Sequence, residues 1–208
     1  NTNNWDTSKV YSMYNMFNKC SSLTKLNVSK WNVTKLEDAR SMFRECGLIT
    51  ELDVSNWDTS KVTTMNYMFY GCTNLINAPN LPSQTLVGSC YYYMYYGCTG
   101  LTNPGTIEAR TLATYCCYGM FYNCSSLTTA PTLWAESLVS YCYYYMFTGC
   151  TNLTYIKMCA KSSSGYYQMY YWASRISSTG TFVMYQDAAS WISTGSSGIP
   201  TGWTVQYI

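Results

Sequence analysis

The dipeptide Met-Phe recurs at Met16-Phe17, Met42-Phe43, Met68-Phe69, Met120-Phe121 and Met146-Phe147, with Met94-Tyr95 where the series would otherwise skip; each step is 26 residues. No other feature constrains the fold as strongly, because self-similarity at a fixed period of about 20–50 residues is the signature of a repeat array. Cysteine follows on the same period at Cys20, Cys46, Cys72, Cys98, Cys124 and Cys150, and an aliphatic residue at Leu23, Ile49, Leu75, Leu101, Leu127 and Leu153. Six units therefore cover residues 1–156. Two dialects share the frame. The first three units carry Trp5, Trp31 and Trp57; the last three carry Leu86, Leu112 and Leu138 with a second cysteine series at Cys90, Cys116 and Cys142. An unchanged length across both dialects implies one shared coil geometry.

Within a unit, Val62, Met65, Met68, Phe69 and Cys72 fall at helical intervals, so the spacing predicts a short helix over about 60–70 with one apolar face, capped by Asp58 or Thr59. Leu23, Leu26 and Val28 then space apolar residues for a short strand. Such a unit cannot bury its apolar face alone. Neighbours must stack, giving an α/β repeat: a leucine-rich-repeat-like solenoid of six strand-helix coils, with a parallel sheet on one side and helices on the other. Ala39 stands where neighbouring units have Met13 and Met65, a change that a smaller side chain elsewhere in its coil would accommodate. Pro79 and Pro131, which donate no ladder hydrogen bond, predict a shortened strand in the second dialect.

The string Trp57-Asp58-Thr59-Ser60-Lys61-Val62, then Met65, Met68-Phe69 and Gly71-Cys72-Thr73-Asn74-Leu75, resembles the 26-residue repeat of bacterial surface proteins in the BspA-like branch of leucine-rich repeats. The second dialect, typified by Cys142-Tyr143-Tyr144-Tyr145-Met146-Phe147, is similar to repeats of gut Bacteroidetes proteins of that type. The resemblance implies an extracellular or surface-attached protein of a group linked to adhesion and binding. It names no ligand.

From Lys157 onward the sequence frame is lost, so residues 157–208 are expected to cap the last coil, with a short helix over about 166–176 and strands at Thr181–Met184 and Trp203–Tyr207. Eleven cysteines in an exported protein suggest disulfides. Their periodic placement instead favours ladders of buried free thiols, where Cys acts as a small hydrophobe. Adjacent coils bring successive Cα atoms to about 5 Å, which leaves local pairs open, Cys116-Cys117 being the place to look.

Composition excludes several functions. Charged residues are 11% of the chain, Lys and Arg exceed Asp and Glu by two, and His is absent. Neither nucleic acid nor an anionic membrane surface finds an electrostatic footprint here, and histidine-based catalysis is impossible. No apolar run reaches the ~18 residues of a transmembrane helix, so these residues insert into no membrane. No signal peptide opens the chain, but Asn1 lies inside a repeat, so that carries no weight. Without His, a zinc site would need thiolates from separate coils, and no metal or cofactor is expected. Glu37-Asp38, Glu108 and Glu136 occupy non-equivalent positions and read as solvated acids rather than a glycosidase pair. The chain is not expected to be an enzyme.

The 23 tyrosines are the informative anomaly. If Cys90, Met94 and Cys98 define the buried helix face, then Tyr92, Tyr118 and Tyr144 point outward with Tyr91 and Tyr143 alongside, and Tyr96 and Tyr122 form a second row. Binding surfaces use tyrosine because it brings contact area at low entropic cost. Two competing surfaces are the strand residues Lys25, Asn27, Glu51, Asp53, Asn77, Asn103, Thr129 and Tyr155, and the cap aromatics Tyr166, Tyr167, Tyr170, Tyr171 and Trp172, some of which must pack on coil six. The functional expectation is a non-catalytic adhesion or recognition module at a cell surface, binding a protein or carbohydrate on a host or neighbouring cell. The alternative is a structural or receptor-binding part of a phage tail or other filament. Residues 1–78 hold 8 of the 12 basic and 7 of the 10 acidic side chains, so the charge deficit belongs to the tyrosine-rich part, where the partner is expected.

Overall fold

The computed structural model describes residues 2, 4–50, 52, 54 and 57–208. Parallel bridges join residues 26 apart: Ser12 to Asp38, Asp38 to Thr64, Asn77 to Asn103, Leu81 to Ile107, Thr85 to Thr111 and Thr129 to Tyr155. The coils therefore stack in register, as the period requires. Among the described residues, however, the expected continuous sheet is absent along most of the stack. Its place is taken by these single-residue bridges, and those at Asn77 and Leu81, like those at Thr129 and Leu133, flank Pro79 and Pro131, which have no N–H to extend them. Longer pairing begins only near the C-terminus. There β1 (Ser137–Leu138) pairs in parallel with β3 (Ser162–Ser163), while β2 (Tyr155–Lys157), β4 (Thr181–Met184) and β5 (Thr204–Tyr207) form a parallel sheet in the order β2-β4-β5. The predicted terminal strands thus pair both with each other and with coil six.

The larger correction concerns the helices. Residues 60–70 and 166–176 contain no helix, and the described chain has one 3-10 helix, Gln186–Ser190, and no α-helix. Each expected helix is a ribbon of successive turns. In coil four the N–H groups of Tyr92, Met94, Tyr96 and Cys98 donate to the carbonyls three residues back, whereas those of Tyr91, Tyr93, Tyr95 and Gly97 donate to Cys116, Tyr118, Met120 and Tyr122 of the next coil. Half the amides close turns and half tie coils together, so every donor is satisfied without an i−4 bond. Asp58 accordingly caps no helix; it accepts the Ser60 N–H at 3.0 Å in a local Asx turn.

This ribbon repeats every four residues, and its φ angles show it: Ser89, Tyr93 and Gly97 have φ of 59°, 49° and 72°, and Tyr141, Tyr145 and Gly149 have 58°, 56° and 80°. The left-handed region costs an L-residue about 1–2 kcal/mol, which explains glycine at 71, 97 and 149. Two residues of each four face inward and two outward. Cys90-Tyr91 and Met94-Tyr95 are buried, whereas Tyr92-Tyr93 and Tyr96-Gly97 are half-exposed.

Equivalent inward positions stack into columns. Phe17, Phe43, Phe69, Tyr95, Phe121 and Phe147 form one, with successive ring centroids 5.4, 5.7, 5.4, 5.3 and 5.6 Å apart. Beside it, the cysteine column gives a reason for its residue type: Cys46, Cys72, Cys98, Cys124 and Cys150 each donate Sγ–H to the preceding coil's column carbonyl, Phe17, Phe43, Phe69, Tyr95 or Phe121, at 3.0–3.1 Å. All eleven cysteines are free thiols, including Cys116 and Cys117, and all but the half-buried Cys20 are buried. In coil two the side chain that changes is larger, not smaller as expected: fully buried Leu36 stands where its neighbours have Val10 and Val62.

Hydrogen bonds at nearly the same offset continue past Lys157, where the sequence frame fades: Tyr143, Tyr145 and Phe147 donate to Gln168, Tyr170 and Trp172. Trp172 occupies the position of Met146 one coil later and is fully buried, its ring edge-on to Phe147 at 5.9 Å.

Candidate functional site: the tyrosine face

The outward pairs of the ribbon build one face. Tyr92, Tyr118, Tyr144 and Tyr170 form a row with centroid spacings of 4.8, 4.8 and 5.1 Å. Tyr70, Tyr96 and Tyr122 form a second at 4.6 and 5.0 Å, and Tyr115, Tyr141 and Tyr167 a third at 4.6 and 5.8 Å. Between the first two rows lie Tyr67 and Tyr93, then Gly119, then Tyr145 and Tyr171. Their rings stand edge-on to the neighbouring rows, as in Tyr92–Tyr93 at 4.7 Å and 81°, Tyr93–Tyr96 at 5.2 Å and 86°, and Tyr144–Tyr145 at 4.4 Å and 82°. Rungs about 4.8 Å apart impose the stacking within rows, and edge-to-face contact locks the rows together. Gly119 is required by this packing: a Cβ there would run into the Tyr93 ring, which lies across the vacant position.

The face is uncharged. Burial against neighbouring rings pushes the phenols of Tyr67, Tyr92, Tyr96, Tyr118 and Tyr170 above the usual tyrosine range, and Tyr93 furthest, so these hydroxyls are neutral donors and acceptors at physiological pH. Two guanidinium groups mark its ends. Arg44 lies 5.0 Å over the Tyr70 ring and pairs with Glu45 at 3.1 Å, and Arg175 donates to the Tyr122 hydroxyl at 3.0 Å.

Of the residues expected to form this surface, Tyr92, Tyr96, Tyr118, Tyr122 and Tyr144 lie on it. Tyr91 and Tyr143 do not: they are 1% and 2% exposed and belong to the core. Volume explains the exchange. The tryptophan column Trp5, Trp31, Trp57 gives way to Ser83, Ala109 and Ala135, and at the position of Met65 the later coils place Tyr91, Cys117 and Tyr143, so tyrosines refill from one side what the lost tryptophans vacate on the other. A helical reading omits Tyr67, Tyr70, Tyr93, Tyr115, Tyr141 and Tyr145; the 26-residue offset leads to Tyr70 from Tyr96, but to Tyr145 only from the terminal-segment residue Tyr171 and to Tyr141 and Tyr115 only from Tyr167.

The strand-side candidates Lys25, Asn27, Asn77, Asn103 and Thr129 are exposed and Tyr155 half-buried; Glu51 and Asp53 lie outside the described residues. Asn103 donates to Asn77 at 3.3 Å, a ladder between coils. In the terminal segment Tyr166, Tyr167 and Tyr171 are exposed, whereas Trp172 is the core residue already described. The acidic residues are dispersed: Asp38 pairs with Arg40 at 2.7 Å and Glu136 with Lys161 at 3.4 Å.

The family model for the BspA type leucine rich repeat region matches residues 66–179 in six copies. The chain belongs to the BspA-type leucine-rich-repeat family. A second family model, described as Mycoplasma protein of unknown function, DUF285, matches residues 1–102 and overlaps the first over residues 66–102, the second half of coil three and most of coil four. No curated protein and no solved structure matches the chain. Together the two matches cover residues 1–179, and both families point to a surface repeat protein. Repeats of this family are in general non-catalytic interaction repeats. No helix among the described residues is long and apolar enough to cross a membrane.

Proposed function

We propose that this protein is a non-catalytic recognition module of a cell surface, a BspA-type solenoid whose tyrosine face adheres to a glycan or protein on a host or neighbouring cell, with residues 157–208 closing the end of the stack. The observation that carries the reading is the face itself: three stacked rows and an interleaved fourth, running from coil three into the segment after coil six and built of tyrosines alone apart from Gly119 and the guanidinium groups at its ends. An ordinary solvated surface does not concentrate aromatic area in this way, whereas a paratope does. Stacking has already removed most side-chain freedom, so a partner meets an ordered surface and its docking costs little further entropy.

The test uses the full chain, labelled and applied to a glycan array and to host cells, against a variant with Tyr92, Tyr96 and Tyr118 replaced by Ser. Each lost stack costs about 0.5–1.5 kcal/mol of stability, so binding is measured well below the melting temperature, with near-ultraviolet circular dichroism as the folding control. The reading expects binding to fall more than about tenfold, a loss of roughly 1.4 kcal/mol. Equal binding by the folded variant would refute it.

A further inference from the structure

The tyrosine face is indented where one of its rows breaks off. The row Tyr70, Tyr96, Tyr122 does not continue: the next two positions in the column are Thr148 and Ser174. Opposite them, Tyr145 and Tyr171 continue the interleaved row. The result is an open pocket of about 220 Å³ lined by Tyr122, Tyr145, Thr148, Tyr171, Ser174 and Arg175. This is below the ~300–1,000 Å³ of pockets for drug-sized ligands and suits a single six-membered ring.

Arg175 gives the pocket its chemistry. It stands in the column of Gly97, Asn123 and Gly149, in the left-handed region at φ 56°. Because Gly149 has no side chain, the guanidinium can extend over the intervening coil and reach the Tyr122 hydroxyl, 53 residues back, at 3.0 Å. That bond uses one of its five N–H donors. Among the described residues Arg175 has no carboxylate partner, unlike Arg40 and Arg44. The Thr148 hydroxyl is buried and donates to the Tyr171 carbonyl, which fixes its rotamer. The lining therefore offers aromatic faces, several hydroxyls and one uncompensated cation. A purely aromatic guest would leave the cation and the hydroxyls unmatched, and a neutral sugar would leave the cation unmatched.

We infer that the pocket formed by Tyr122, Tyr145, Thr148, Tyr171, Ser174 and Arg175 binds one carboxylate-bearing pyranose, a uronic or sialic acid residue of a surface glycan, with the ring against the tyrosines and the carboxylate on Arg175. The inference rests on the recognition role of the face and names the class of ligand it selects. Carboxylate and guanidinium form a charge-assisted, often bidentate pair, and the ring's C–H surface packs on phenol faces while its hydroxyls meet Ser174 and the phenol hydroxyls of the wall.

Calorimetry and saturation-transfer NMR on the full chain test this with methyl glucuronide and the methyl glycoside of N-acetylneuraminic acid, against methyl glucoside as the neutral control. The wild type should bind at least one acidic glycoside about tenfold or more tighter than the neutral sugar. Arg175→Gln, at an exposed position, should erase that preference, and Thr148→Tyr, which continues the row into the pocket, should abolish binding of both. The glucuronide and sialoside arms tell which acid is selected. Equal binding of acidic and neutral sugars, an unchanged preference in Arg175→Gln, or no glycoside bound at all overturns the inference. None of these outcomes decides the broader reading, which is tested on Tyr92, Tyr96 and Tyr118, none of which lines the pocket.

Discussion

Replacing Gly119 by alanine isolates the principle that orders the tyrosine face. The variant faces two costs. Its φ of 58° lies in the left-handed region, worth about 1–2 kcal/mol for an L-residue. Reduced freedom of the unfolded chain returns about 0.4–1 kcal/mol of this. The second cost is specific: the new methyl group overlaps the Tyr93 ring, which must leave its place. That ring makes edge-to-face contacts with Tyr92 at 4.7 Å, Tyr96 at 5.2 Å and Tyr118 at 5.3 Å. At about 0.5–1.5 kcal/mol each, losing two of the three costs about 2 kcal/mol. Gly97 is the control, since its φ is 72° and a Cβ there meets nothing within 4 Å. Gly97→Ala should cost about 1 kcal/mol and Gly119→Ala about 3 kcal/mol, read from urea midpoints at constant m. In a Tyr93→Ser background the two should become equal, a coupling of about 2 kcal/mol between positions 93 and 119. Equal losses in the wild-type background, or an excess that survives Tyr93→Ser, would show that stacking does not hold the face.

Tyr95 stands in a column of phenylalanines and its buried hydroxyl has no hydrogen-bond partner, so Tyr95→Phe should stabilise the protein by about 1–3 kcal/mol; an unchanged or lower urea midpoint contradicts this. Burial pushes the Cys46 thiol up to about 11 and the Cys90 thiol up to about 12, against an unfolded value of about 8.5. Above the unfolded value the unfolded chain binds fewer protons than the folded one, so stability should be flat below about pH 8 and fall with rising pH up to those values, by as much as about 1.4 kcal/mol per pH unit for each thiol. Urea titrations from pH 7 to 11 check the sign, and Cys90→Ala should flatten the slope. In native protein a thiol reagent should label Cys20 alone quickly and reach the other ten only on unfolding; rapid native labelling of several would show that the cysteine columns open to solvent.

The columns were legible because stacking at a fixed offset aligns equivalent residues whatever path the chain takes between them. That is why the buried cysteine ladder, the Phe column and the stacking of Tyr92, Tyr118 and Tyr144 could all be read from spacing. The path itself could not. Cys90, Met94 and Cys98 face inward both in a helix and in a ribbon of four-residue period, so their spacing does not separate the two. The difference falls on their neighbours. A helix turns Tyr91 away from that face, whereas the ribbon turns residues in pairs and buries it.

The amino-acid sequence by itself determined the 26-residue period, the two dialects and the residues that share a column. Tertiary structure decided what the backbone does between columns and which tyrosines reach the surface. The physical reason is that alternate amides find their acceptors in the next coil rather than four residues back. A bond to a residue 25 positions away is invisible to local propensity and exists only once the neighbouring coil is in place.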